Sequence, residues 1–165
     1  GTGTGCVAVA TAADAPHCRI VATDINPFAI ETAAANAARY HCEDRITFRL
    51  GDLFDPLAET DGPFDVICSN PPYIEDAAWP DLPPVIRLHE DPRALLAGKD
   101  GLDVIRRLAT GASLWLKPAG LLAFEIDPGQ ARAVANLLLD QGYEDIQFRQ
   151  DLAGYDRTAH AKKSR

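Results

Sequence analysis

The chain has 165 residues, enough for one domain with a real core, and 47% of them are hydrophobic, an ordinary globular share. Its net charge of −8 argues against tight nonspecific nucleic-acid binding, which is driven by phosphate neutralisation; the only basic cluster is the tail Lys162-Lys163-Ser164-Arg165. Cys6, Cys18, Cys42 and Cys68 form no C-x-x-C pair or zinc spacing, no apolar run reaches membrane-spanning length and no signal peptide is visible, which points to a cytoplasmic protein with reduced thiols and no metal site.

The chain opens on Gly1-Thr2-Gly3-Thr4-Gly5-Cys6 and then runs apolar, a pattern that reads as a glycine loop entering a helix over 6–14. Residues 19–24 read as a strand ended by Asp24. Asn26 before Pro27 has the form of an N-cap with proline at the first helical position, and the Ala-rich stretch 27–40 reads as the helix it starts. A strand over 46–50 ends at Gly51-Asp52, and an apolar run over 64–69 reads as a buried strand leading into Asn70-Pro71-Pro72-Tyr73. The proline- and charge-rich stretch 75–99 reads as a long loop. A helix is expected from Asp100 or Gly101 to about Leu116, with Leu102, Ile105, Ala109, Ala112 and Leu116 on one face. A turn over 117–120, a buried strand over 121–126, a helix over 129–141 closed by Gly142, and strands over 146–149 and 158–161 complete the series. This alternation predicts an α/β fold, a mostly parallel sheet with helices on both faces. Ligands bind such sheets at the carboxyl ends of strands. The Gly1–Gly5 loop, Asp24, Asp52 and Asn70 all fall at those ends and are expected to share one crevice.

Three of these signals carry chemistry. Glycines let backbone approach a ligand, and a helix N-terminus attracts negative charge. No Gly-Lys-Ser/Thr follows, so the loop is not a phosphate-binding loop, and Cys6 stands where the dinucleotide fingerprint has its last glycine. A tight turn remains an equal reading of the glycines alone. Asp24 strengthens the ligand reading, because an acid about twenty residues past such a loop is placed for ribose hydroxyls. At Asn70-Pro71-Pro72-Tyr73, two prolines stiffen the backbone and leave carbonyl acceptors, Asn70 adds a side-chain amide, and Tyr73 offers a flat face. Such a group can hold a planar NH2, although a loop that merely needs rigid turns would also use two prolines.

With these residues together, the chain resembles class I S-adenosylmethionine-dependent methyltransferases with a Rossmann-like fold. Within them it is most similar to the release factor glutamine N5-methyltransferases, the HemK/PrmC family, from Gly1 to about Arg157. Asp24-Ile25-Asn26-Pro27, Gly51-Asp52-Leu53-Phe54, Ser69 to Ile74, His89-Glu90, Pro92 to Leu95 and Asp100 to Asp103 with Arg106-Arg107 carry the likeness, and Asp151 to Gly154 with Asp156-Arg157 points to this subfamily. The resemblance implies S-adenosylmethionine as cofactor, held by Gly1, Thr2, Gly3, Thr4, Gly5, Asp24, Asp52, Leu53 and Asn70, with Asn70, Pro71, Pro72 and Tyr73 as the catalytic group. It implies methylation of the glutamine of a release factor's Gly-Gly-Gln loop; no membrane partner is expected, and the net charge argues against nucleic acid. Leu53 stands where an aromatic residue can occur, and Arg87, His89, Glu90 and Arg93 are expected to shape the substrate side or to form a solvated charge cluster. The family also has a strand and an acid before the first glycine, and a helical N-terminal substrate-binding domain. Residues 1–165 are therefore expected to be a catalytic domain without its N-terminal part. Ribosomal-protein glutamine methylation, DNA or RNA amino-group methylation, and a nonenzymatic remnant are the alternatives.

Overall fold

In the computed structural model, which describes residues 1–165, the chain divides into two compact units, residues 1–62 and 63–165. The first holds α1 (Cys6–Asp14), β1 (Ile20–Asp24), α2 (Pro27–Arg39) and β2 (Ile46–Leu50). Strands β1 and β2 pair in parallel from Ile20 opposite Ile46 to Asp24 opposite Leu50, so both end at the same level. The Asn26 side chain accepts from the Phe28 N–H at 3.0 Å with Pro27 at the first turn, which is the cap read from the sequence. The core is built from small side chains, Ala8, Val9, Ala12, Ala22, Ala37, Cys42 and Ile46, with Ile20 and Phe48 packed against it. Small residues let the helices come close, and Gly5 shows how close. It sits at φ 79° before α1, and a Cβ there would lie 2.9 Å from the Cβ of the buried Ala33 on α2.

The second unit holds β3 (Phe64–Ser69), α3 (Pro84–His89), α4 (Asp103–Trp115), β4 (Leu116–Glu125), α5 (Ala131–Asp140), β5 (Tyr143–Gln150) and β6 (Asp156–Lys163). Its sheet runs β3-β4-β6-β5; β3 and β4 are parallel, and β6 is antiparallel to both its neighbours. The short connection over 151–155 dictates that change of direction, since a tight turn can join only antiparallel strands. Ile105, Leu116, Leu122, Phe124, Ile126, Val134 and Leu138 fill its core. The buried Tyr143 hydroxyl donates to the Ala109 carbonyl at 2.7 Å and ties β5 to α4.

Several segments depart from the sequence reading. The strand expected to be buried over 64–69 forms as β3, but none of its residues is buried and Val66 is 54% exposed, because β3 stands at the end of its four-stranded sheet. The turn expected over 117–120 is a bulge within β4. Phe64 pairs with Leu116 but Val66 pairs with Leu121, and Ala119 takes φ 60°. An unpaired bulge accommodates Pro118, which has no N–H to give a ladder. The long loop over 75–99 contains 3₁₀ turns at Asp76–Asp81 and Pro92–Ala94 around the short helix α3, and a parallel bridge joins Ile74 to Leu96. The helix expected from 129 starts at Ala131, after a 3₁₀ turn at Pro128–Gln130. No helix is long and apolar enough to cross a membrane.

Candidate active site

In the first unit the expected ligand-holding residues meet at the carboxyl end of β1. Asp24 is the one buried charged residue of the chain. Its Oδ2 accepts from the Gly3 N–H at 2.8 Å and its Oδ1 from the Asn26 N–H at 2.9 Å. The carboxylate thus fastens the glycine loop to the strand end, a job that spacing alone does not reveal. Each carboxylate oxygen has about two acceptor sites, so one per oxygen remains beyond these bonds. These two remaining acceptor sites suit the two hydroxyl donors of a vicinal diol.

The glycines divide by role. Gly3, at φ 56°, has nothing within 4 Å of where a Cβ would stand, so open space borders it. Gly5 instead serves the packing against Ala33. Thr2 donates its N–H to the Thr23 carbonyl at 2.9 Å, and the Thr4 carbonyl accepts from the Asn36 amide at 2.9 Å. Gly1 is exposed at the edge of this loop.

Asp52 and Leu53 follow β2. The Gly51 N–H donates to the Asp24 carbonyl at 2.8 Å, and the Thr23 hydroxyl donates to the Leu53 carbonyl at 2.9 Å. Leu53 is held at φ 46°, a left-handed conformation that costs a side-chain-bearing residue about 1–2 kcal/mol. Thr23 is thus a residue the sequence reading passed over. The bonds at Gly51 and Leu53 place the 51–53 turn beside Asp24.

In the second unit Asn70, Pro71, Pro72 and Tyr73 leave the carboxyl end of β3. Asn70 is exposed, Pro71 is buried, and Pro72 and Tyr73 are half-buried. Tyr73 is fixed at both ends. Its hydroxyl donates to Glu125 Oε1 at 2.8 Å, and its carbonyl accepts from Gln130 Nε2 at 3.0 Å. Burial, then the bond to the Glu125 carboxylate, raises the Tyr73 phenol pKa above its ordinary value, with the Arg157 charge acting the other way. Arg157 bonds to Asp151 at 3.4 Å and to the Ile126 carbonyl at 3.5 Å, which ties the late segment to the end of β4.

Glu125 and Gln130 carry no local sequence pattern that places them against Tyr73. One signal was available for Glu125: it is an acid near the end of an expected buried strand, as Asp24 is. In the intervening loop, Arg87 Nε donates to the Leu82 carbonyl at 3.0 Å and Arg93 pairs with Asp91 at 2.7 Å, so both cations have partners within the loop. His89 and Glu90 are exposed.

A glycine loop before a helix, an acid-ended strand beside it, and Asn-Pro-Pro-Tyr leaving another strand are features of the class I methyltransferase fold. The fold agrees. A methyltransferase from Pyrococcus furiosus superposes with a TM-score of 0.72 at 19% identity, over 100% of this chain and 73% of that one. An RNA methyltransferase from Salinibacter ruber, solved with S-adenosyl-L-homocysteine, superposes with a TM-score of 0.59 at 19% identity, over 99% of this chain and 77% of that one. Residues 1–83 match the methyltransferase small domain, and the chain belongs to that family. Among curated relatives, a release factor glutamine methyltransferase of Cereibacter sphaeroides is 43% identical over 162 residues, covering 98% of this chain and 57% of the relative. One of the same name from Rhodopirellula baltica is 40% identical, covering 99% of this chain and 55% of the relative. The chain therefore spans a little over half the length of these relatives.

Proposed function

We propose that the protein transfers a methyl group from S-adenosylmethionine to the side-chain amide nitrogen, N5, of a glutamine in a peptide-chain release factor. The observation that carries this reading is Asn70-Pro71-Pro72-Tyr73 at the end of β3, with Asn70 exposed and Tyr73 pinned behind it. The names of the relatives supply the substrate, and the glutamine of the Gly-Gly-Gln loop is the residue the reading selects. The reaction belongs in the cytoplasm, where translation terminates. Residues 1–165 would serve as the catalytic domain.

Gly1, Thr2, Gly3, Thr4 and Gly5 would hold the amino-acid portion of the cofactor, Asp24 the ribose hydroxyls, and Asp52 with Leu53 the adenine. When bound, S-adenosylmethionine supplies an electrophilic methyl carbon on its sulfonium, whose sulfur keeps the electron pair of the broken bond. The Asn70 side-chain oxygen and the Pro71 carbonyl accept the two N–H bonds of the glutamine amide and fix its plane. An amide nitrogen is a poor nucleophile because its lone pair is delocalised. Two acceptors on its hydrogens raise its electron density as charge develops. Positioning supplies much of the remainder, since effective molarities reach roughly 10⁵–10⁸ M for well-oriented groups. The methylated nitrogen then loses one proton to solvent, so no general base is required. Pro72 stiffens the clamp and Tyr73 packs against the amide.

Asn70→Ala tests this division of labour. Turnover on the release factor should fall by roughly 10²-fold or more, while the cofactor dissociation constant stays within about threefold. Turnover at the unsubstituted rate would rule out the clamp.

A further inference from the structure

We propose that Gln130 is a positioning residue that holds the Asn70–Tyr73 segment in its working conformation by grasping the backbone immediately behind it. This rests on the methyl-transfer reading above. Gln130 Nε2 donates to the Tyr73 carbonyl at 3.0 Å and also lies 3.2 Å from the Gly101 carbonyl. One amide NH2 therefore bridges two chain segments that are far apart in sequence. Its other end is also occupied. Gln130 Oε1 accepts from the Asp127 N–H at 3.1 Å, while Asp127 Oδ1 accepts from the Gly129 N–H at 2.9 Å, which makes the capping box ahead of α5. The turn thus fixes the Gln130 rotamer before the side chain reaches Tyr73, so little entropy is lost in making the bridge.

Gly101 completes the fit. It stands at φ 69°, and a Cβ there would run into the Tyr73 carbonyl and come within 2.7 Å of Gln130 Nε2. Only glycine lets the 98–101 turn come so close. Glu125 holds the far end of the same tyrosine at 2.8 Å. Glu125 ends β4 and Gln130 lies in the turn that follows it, so the strand that pairs with β3 also sets the segment that β3 delivers. Beyond Tyr73 the chain is pinned again, where the Ile74 N–H donates to the Leu95 carbonyl at 2.9 Å.

Gln130→Glu separates the two duties of this side chain. A glutamate keeps an acceptor for the Asp127 N–H, as capping boxes commonly do, but sets a carboxylate against two carbonyl oxygens. In the full-length protein, kcat should fall roughly 10²-fold, as expected for misplacement of about 1 Å, with cofactor affinity held. The ratio of variant to wild-type kcat should recover on acidification, because the introduced carboxyl, once protonated, can again donate to one carbonyl. Hydrogen exchange at the Ile74 amide should quicken. Unaltered turnover with unaltered Ile74 exchange would overturn the proposal, as would a loss of kcat that acid does not relieve. If the wild-type protein does not methylate the release factor, the methyl-transfer reading fails and exchange alone decides the clamp. Faster exchange at Ile74 in Q130E then supports it, and unchanged exchange refutes it.

Discussion

Replacing Gly5 and Gly3 separately with alanine gives a matched pair that isolates packing from backbone strain. Both glycines have positive φ, 79° and 56°. An alanine at either position suffers the left-handed penalty of about 1–2 kcal/mol. It also gains about 0.4–1 kcal/mol, because alanine narrows the unfolded ensemble. Gly3 has open space around its missing Cβ, so Gly3→Ala should destabilise by about 1 kcal/mol. At Gly5 the new methyl would stand 2.9 Å from the Ala33 Cβ and 3.2 Å from its Cα. Overpacking of that kind costs typically about 1–3 kcal/mol, which brings Gly5→Ala to about 2–4 kcal/mol. Urea unfolding at matched m-values measures both changes. Cofactor titration supplies the converse contrast: Gly3→Ala should weaken binding by more than its stability loss explains, because its methyl enters the open space. Equal destabilisation by the two substitutions would refute the assignment of Gly5 to helix packing.

Further outcomes follow from the same contacts. Asp24→Asn keeps the size but turns one acceptor into a donor, which faces either the Gly3 or the Asn26 N–H. We expect a loss of about 1–3 kcal/mol in denaturant unfolding, and a weakened cofactor in titration calorimetry. Tyr143→Phe removes the bond to the Ala109 carbonyl and should cost about 0.5–1.5 kcal/mol by the same unfolding measurement. The Tyr73 phenol pKa is raised above its ordinary value of 10.0, so its contribution is fully present below pH 10 and is lost as pH rises through the higher folded value. Melting temperatures from pH 9 upward should therefore fall less steeply in Tyr73→Phe than in the wild type. Tyr143, whose pKa is pushed up to about 12 by burial, is common to both proteins and cancels in the comparison.

What could be read from the chain beforehand was what local chemistry announces. Asn26-Pro27 marks a helix start by its own capping bond, and α2 begins there. The apolar run into Asn70 marks a strand, and β3 ends there. The bulge over 117–120 has the sequence of a turn because Pro118 and Gly120 are turn residues; only pairing with β3 shows that the strand resumes its ladder beyond them. The holders of Tyr73 lie 52 and 57 residues away in sequence, so no local pattern places them against it. The spacing places Asp24 at a strand end near the glycine loop, but its bond to Gly3 is not legible there, because spacing gives proximity without direction. In sequence Gly5 looks like the other loop glycines, and only the position of Ala33 separates its role from theirs.

The most direct test of methyl transfer uses labelled S-adenosylmethionine with purified release factor, ribosomal protein and DNA as parallel acceptors, followed by mass mapping of the product. The account predicts a single methyl group on the side-chain amide of the glutamine in the release factor's Gly-Gly-Gln loop. Label on DNA or ribosomal protein alone would contradict it.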